Sequence, residues 1–454
     1  MKKYYFVGIG GSGMNPLAQI MRQRGNWVGG SDRNYDRGTT AALFEKLRQQ
    51  GIHLFSQDGS GITPDIDAIV VSTAIEPHNV ELQQARTLVI PVIHRSDLLA
   101  DMFNHAFGIA IGGTSGKTTV TGMVAAILDC AGKDPTVING GIMKQYATES
   151  RIGNAKGGSS GIMIIETDES DGSITKFHPR ISVITNIAKD HKEIAELQRL
   201  FQIFADHTTD TLILNNDCPV TRSIAGSRVI TFGMSASSDI TIEPLQISAS
   251  GIRFAALGAT FQLNIPGMHN VYNAAAAIAV AVTLDIPVFA IQQGVAEFRG
   301  IQRRLELVSM INGIQVVDDF AHNPDKIAAS IKTLKSMGER LTVIYQPHGY
   351  GPTRFLLDEL AACFSVSLRP SDTLFLLPIF DAGGTADRSI SSLDLAQKIR
   401  GPQVTCAPER NSVLEQVAAC AQTGDVIAVM GARDDTLSSF AQALADTLRA
   451  RPTR

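Results

Sequence analysis

A short glycine-rich loop set between an apolar run and a helix constrains this chain more than any other feature. Residues 108–111 are the apolar run. The loop is Gly113-Thr114-Ser115-Gly116-Lys117-Thr118-Thr119, and the segment after it carries Val120, Met123, Val124, Ile127 and Leu128 before Gly132. Apolar residues three and four apart predict one face of a helix, and the glycine predicts its end. A strand that turns through glycines into a helix aims several backbone N–H groups and the positive end of the helix dipole at one point. That point suits phosphate oxygens. Lys117 is then expected to reach the β- and γ-phosphates, and the hydroxyl of Thr118 or Thr119 to ligate Mg2+. The loop is a shortened variant, since Ile111 stands five residues before Gly116 where the general pattern has its first glycine. The plainer reading is a glycine turn with a solvated lysine. The strand before it and the amphipathic helix after it favour phosphate.

A loop of this kind belongs to a parallel sheet, and the rest of the chain reads the same way. Apolar runs at 4–9, 27–30, 68–72 and 88–93 are expected strands, with a helix over 15–23 after the first. Further strands are expected at 161–166 and 181–185, then at 314–317, 341–345, 373–377 and 426–430 among helices such as 325–336. The alanine-rich stretch 272–282 is apolar nearly all round and so predicts a buried helix. Strands alternating with helices imply α/β domains with parallel sheets. At 454 residues the chain exceeds a single hydrophobic core. The expected division is 1–107, 108–302 and 303–454.

A nucleotide loop needs a partner for its metal. Glu166 ends the run 162–165 and opens the acidic cluster Glu166-Thr167-Asp168-Glu169-Ser170-Asp171. A carboxylate at the carboxyl end of a neighbouring parallel strand stands beside such a loop. Asn186, Asp190 and His191 follow the run 181–185 in a similar context. Strand-end position favours a functional Glu166 and His191, whereas Asp168, Glu169 and Asp171 are each expected to be solvated loop residues. At the amino end Gly8, Gly10 and Gly13, with Asp32 beyond them, fit a dinucleotide fingerprint, which by itself suggests a dehydrogenase.

Composition narrows the class. Charged residues are 19% and the net charge is −4, with no basic run of the kind that grips nucleic acid. The five cysteines are odd in number and form no CxxC pair, so a disulfide framework or zinc site is not expected and a cytoplasmic location is. No stretch approaches the roughly 20 apolar residues of a membrane span. The opening Met-Lys-Lys is like a signal peptide only in its lysines, because the apolar run stops at glycines.

Taken together, the motifs resemble the Mur ligase family, and within it the members that add L-alanine. Val7-Gly-Ile-Gly-Gly-Ser-Gly-Met14, Gly30-Ser-Asp32, Val71-Ser-Thr-Ala-Ile75 and His94-Arg95-Ser96 are similar to the family's UDP-binding domain. The phosphate loop, Asn139-Gly140-Gly141, Glu166 to Asp171, Thr185-Asn186 and Pro266-Gly-Met-His269-Asn270-Val-Tyr-Asn273 are similar to its ATPase domain. Gln302-Arg303-Arg304, Asp318-Asp-Phe-Ala-His-Asn-Pro324 and Gln346-Pro-His348 are similar to its third domain. Each motif is weak, but their order and spacing are specific.

The resemblance implies a Rossmann-like UDP-binding domain, a central P-loop ATPase domain and a C-terminal Rossmann-like domain. It also implies a reaction. ATP phosphorylates the carboxylate of a UDP-N-acetylmuramic acid-type substrate, and the amine of an amino acid or short peptide attacks the acyl phosphate. The residues implied for the UDP-sugar are Gly8, Gly10, Gly11, Ser12, Gly13, Met14, Asp32, Ser72, His94 and Arg95. Those implied for ATP are Gly113, Thr114, Ser115, Gly116, Lys117, Thr118 and Thr119, with Asn273 at the adenine, Asp319 at the ribose and Phe320 beside the base. Lys117 and Arg304 would stabilise the transferring phosphoryl group. Thr118 or Thr119 with Glu166 would hold one magnesium ion, and His191 would help to hold a second. His322 is as readily a core histidine as a contact. The family also explains the amino-terminal glycines as a UDP pyrophosphate site.

Some positions depart from the L-alanine-adding pattern. Ser115 replaces a histidine, Asn323 follows His322, and residues 189–194 form a shorter stretch than usual. Gly349 and Pro352 stand where arginines usually grip the amino acid's carboxylate, while Arg354 is retained. Glycine and proline cannot replace a bidentate cation. Three readings follow: a ligase for L-alanine or another amino acid, a recycling ligase that attaches a tripeptide, or a silent nucleotide-binding regulator. Retention of Lys117, Glu166, His191 and Arg304 argues against the last.

Overall fold

The computed structural model describes residues 1–189, 192–248, 250–381 and 386–451. The chain forms two compact units. One comprises Met1–Leu245, Arg253–Asn264 and Asn270–Ile301; the other comprises Gln246–Ile252, Ile265–His269 and Gln302–Arg454. No described helix is long and apolar enough to cross a membrane.

The first unit holds a five-stranded sheet and an eight-stranded sheet that position the candidate site. Five parallel strands run in the order His53–Phe55, Trp27–Ser31, Lys3–Val7, Ala68–Val71, Val92–His94. Alternate residues of the central strand face opposite layers: Tyr4 and Phe6 join one cluster with Leu17 and Val28, while Tyr5 and Val7 join another with Ile69 and Leu82. Burial on both faces is why this strand reads as a continuous apolar run. The strand order reverses beside Lys3–Val7, and Gly8 leaves the sheet at that point.

The second sheet has eight strands, with Phe107–Gly112 between Ile162–Glu166 and Ile181–Ile184. Both neighbours are parallel to it, in a register that sets Ile111 opposite Glu166 and Gly112 opposite Ile184. The helix Lys117–Cys130 follows the loop and is buried throughout residues 118–128, beyond the single face that its spacing predicted. Close helix contact is the reason, since a Cβ on Gly294 would lie 2.4 Å from Ile127 Cα. The alanine-rich helix, Met268–Thr283, is buried nearly all round, as expected.

The expected strand over 88–93 is corrected. Asn79 caps a helix, Val80–Thr87, by accepting hydrogen bonds from the Glu81 and Leu82 N–H groups at 2.8 and 3.4 Å. The chain leaves that helix through a left-handed Val89, so the strand is only Val92–His94.

The second unit is built on six strands, ordered Glu306–Ile311, Ile314–Asp319, Asp425–Gly431, Arg340–Gln346, Thr373–Leu376, Gln403–Cys406. The first pairs antiparallel with the second and the others are parallel. Antiparallel edge strands on parallel sheets are common. The carboxyl ends of the middle strands meet in register, Asp319 opposite Met430 and Gln346 opposite Gly431. The helix Pro324–Leu334 begins with proline and is capped by Asn323, which accepts from the Lys326 N–H at 3.0 Å.

Candidate functional site: a phosphate loop and two crevices

The loop after Phe107–Gly112 takes its shape from two left-handed glycines, Gly113 at φ 128° and Gly116 at φ 89°. A Cβ on Gly113 would stand 2.0 Å from Thr185 Oγ1, and one on Gly116 would stand 2.4 Å from Asn273 Oδ1. Neither position has room for a side chain. Asn186 then clamps the loop from the next strand end. Its Oδ1 accepts from the Thr114 hydroxyl at 2.7 Å and the Ser115 N–H at 3.0 Å, and its Nδ2 donates to the Ser115 carbonyl at 2.9 Å. Asn186 and Thr185 were legible only as the start of a motif; their hold on the loop comes from sheet order.

Lys117 Nζ donates to the Gly113 carbonyl at 2.6 Å and to both Glu169 oxygens at 2.9 and 2.8 Å. Glu169 is buried, which corrects the expectation of a solvated loop acid. The turn after Ile162–Glu166 carries its carboxylate back over the lysine. Glu166 itself faces the first helical turn, and its Oε2 accepts from the Thr118 hydroxyl at 2.7 Å. Thr119 is buried beside it. Gly140 makes space for this acid, because a Cβ there would lie 1.8 Å from Glu166 Oε1.

Thr118 and Glu166 fit a magnesium ion that takes its remaining ligands from phosphate and water, since that ion uses few protein groups. Among the described residues, no three or more histidine, cysteine or carboxylate side chains form a metal-holding cluster. Asp190 and His191 lie outside the described residues.

The amino-terminal crevice is organised by Asp32. Its Oδ2 accepts from the Gly10 N–H at 2.9 Å and its Oδ1 from the Asn34 N–H at 2.8 Å. Gly8 is left-handed, and its N–H and that of Ile9 both donate to the Ser31 carbonyl at 2.9 Å. Gly11 and Ser12 are exposed, Met14 is buried, and Ser72 is half-buried past its strand. Arg95 lies over the glycine turn, 2.8 Å from where a Gly13 Cβ would be. The same guanidinium pairs with Asp171 at 3.3 Å and Asp168 at 3.9 Å. These two acids are therefore tied to the amino-terminal crevice and are not simply solvated. His94 Nδ1 is 2.7 Å from Ser96 Oγ. Burial, with Arg95 and Lys176 nearby, holds its pKa below the usual value.

In the second unit Arg303, Arg304 and Leu305 form a strained corner, with Arg303 and Leu305 at φ 58° and 47°. Arg303 is nearly buried and donates to the Gly431 carbonyl at 2.8 Å. Phe320 lies against both guanidiniums, its ring 5.0 Å from that of Arg303 and 4.8 Å from that of Arg304. Asp319 is buried and accepts from the Leu305 N–H at 3.2 Å and from the Ser330 hydroxyl. Burial raises its pKa. His322 and His348 are buried with their rings 4.7 Å apart.

Comparison with known proteins finds matches along most of the chain. The family models for the Mur ligase catalytic domain, the Mur ligase middle domain and the Mur ligase glutamate ligase domain match residues 3–107, 111–281 and 303–433. The chain is 35% identical over 452 residues to a UDP-N-acetylmuramate–L-alanine ligase of Geobacter sulfurreducens, covering 95% of each chain. It is 34% identical to one of Acidobacterium capsulatum, over 99% of this chain and 98% of that one. The solved UDP-N-acetylmuramate–alanine ligase of Thermotoga maritima superposes with a TM-score of 0.77 at 26% identity, covering 98% and 99% of the two chains. A murein peptide ligase of Psychrobacter arcticus shares the fold, with a TM-score of 0.70 at 22% identity and full coverage of both chains. With three family models in order and relatives aligned along nearly its whole length, the chain belongs to the Mur ligase family.

Proposed function

We propose that this protein is an ATP-dependent, ADP-forming ligase of peptidoglycan precursor synthesis that joins L-alanine to UDP-N-acetylmuramate in the cytoplasm. The observation that carries this reading is the full-length similarity to ligases of that name, at 35% identity. The phosphate-loop geometry supplies the chemistry. The proposed organisation is a UDP-sugar domain over 1–107, an ATP domain over 108–302 and an amine-handling domain over 303–454.

ATP is a substrate here, and its phosphates suit the N–H groups of residues 113–119. Lys117 neutralises the charge on the transferring phosphoryl group, a task for a fixed cation in a desolvated site. The Thr118 hydroxyl and the Glu166 carboxylate would hold a magnesium ion, which would supply further positive charge at the phosphates. Arg304, held against Phe320, is proposed to serve the same charge, while Asn273 and Phe320 are proposed for the base. Gly8 to Met14, Asp32, Ser72, His94 and Arg95 are proposed for the UDP-sugar, whose pyrophosphate fits the start of the helix Asn15–Gln23. The substrate carboxylate attacks the γ-phosphorus of ATP and ADP leaves; the amine then attacks the acyl carbon and loses a proton, and the C–O bond to phosphate breaks to give amide and phosphate. Positioning supplies much of the acceleration.

Phosphate release from ATP, measured with magnesium and UDP-N-acetylmuramate, tests the reading when L-alanine, other amino acids and the tripeptide are supplied in turn. L-alanine-dependent turnover supports it. Turnover with the tripeptide alone would move the assignment to a recycling ligase, which the glycine and proline at 349 and 352 would suit. ATP binding with no turnover for any amine would leave a regulator.

A further inference from the structure

The second unit has a guanidinium whose backbone is strained and whose charge has no partner among the described residues. Arg433 follows the strand Asp425–Gly431 at φ 66°, in the left-handed region that favours glycine. Among the described residues, Arg433 has no hydrogen bond and no ion pair, and its side chain is exposed. The arginines around it are committed. Arg303 pairs with Asp318 and Asp435 at 3.5 and 3.8 Å, Arg410 with Asp434 and with Gln346 Oε1 at 2.9 Å, and Arg354 with Asp387 at 2.9 Å.

The free guanidinium points at a specific place. Its Nη1 lies 3.5 Å from where a Cβ on Gly349 would be. Gly349 follows the neighbouring strand Arg340–Gln346, whose last residue is in register with Gly431. Ligands of parallel α/β sheets bind in the crevice at the carboxyl ends of adjacent strands. An uncompensated arginine held at that crevice by a strained residue is suited to an anionic group, and planar carboxylate matches its fork of donors. Strained non-glycine residues cluster at ligand clamps.

We infer that Arg433 binds the carboxylate of the amine substrate, supplying from the strand end after residue 431 the cation that Gly349 cannot. The inference rests on the ligase reading above and adds a specificity-determining residue to it. It also gives the missing side chain at Gly349 a role, since the arginine reaches into the space that glycine leaves.

Kinetics of Arg433→Gly provide the test, because glycine accepts φ 66° and the variant keeps its backbone geometry. With the amine that the wild type uses, KM for that amine is expected to rise about 10- to 100-fold while KM for ATP and for UDP-N-acetylmuramate stays put. The matching carboxamide, lacking the anionic group, is expected to react equally with wild type and variant. Arg433→Lys should recover part of the loss, keeping the charge but not the fork. Wild-type turnover together with an unchanged amine KM in Arg433→Gly overturns the inference and leaves the ligase reading standing. A wild type silent with every amine overturns both.

Discussion

Glu169 grips the phosphate-loop Lys117 through both carboxylate oxygens, at 2.9 and 2.8 Å, in a site where the lysine side chain is 19% exposed. On the proposed reading, nucleotide phosphates would share or replace this partner. Glu169→Gln removes the competing charge and keeps the shape. Its expected effect is an apparent ATP affinity about fivefold tighter, the order of one partly exposed ion pair. Calorimetric titration with the nucleotide checks this, and weaker binding by the variant would show that Glu169 instead holds the lysine in its productive position.

Gly140 is the only residue type that leaves Glu166 where it is, given the 1.8 Å approach of an added Cβ. Gly140→Ala is expected to push that carboxylate off Thr118 and lower kcat/KM roughly 10²- to 10³-fold, the scale of losing one charge-stabilising group. Raising magnesium should recover part of the activity. An alanine variant with wild-type turnover would mean that Glu166 is dispensable.

Glu81 is fully buried on the amino-terminal sheet and accepts from the Tyr5 and Ser31 hydroxyls, both at 2.6 Å. Burial raises the pKa of both Tyr5 and Glu81. Glu81→Ala strands two buried hydroxyls and is expected to cost about 2–4 kcal/mol in urea unfolding. Adding Tyr5→Phe to that variant should return part of the loss, because it removes one stranded donor.

His269 is half-buried, and burial together with the nearby Arg304 charge pushes its pKa down to about 4 from 6.5. Between those values the unfolded chain takes up a proton that the folded chain refuses. Stability from this group is therefore complete above pH 6.5 and falls as pH drops toward 4. At pH 5 the loss is on the order of 2 kcal/mol. Comparing the pH dependence of denaturant unfolding for wild type and His269→Gln isolates it, since the variant should lack that part of the slope.

Local pattern carried much of this protein. Glycines at 113 and 116, the lysine and threonines after them, and Glu166 at the end of an apolar run are all short-range signals, because strands and helices repeat every few residues. The same holds for the buried alanine-rich helix Met268–Thr283. Local pattern failed where a cap competed with a strand, as at Asn79 before residues 88–93, and for the antiparallel edge strand Glu306–Ile311. Tertiary structure alone decided which acid meets Lys117, that Arg95 pairs with Asp171, and that Arg433 comes to Gly349. Those partners are set by the order and register of strands, which bring together residues far apart in the chain. No periodicity within either segment encodes that order, so only the folded sheets assign the charges to their sites.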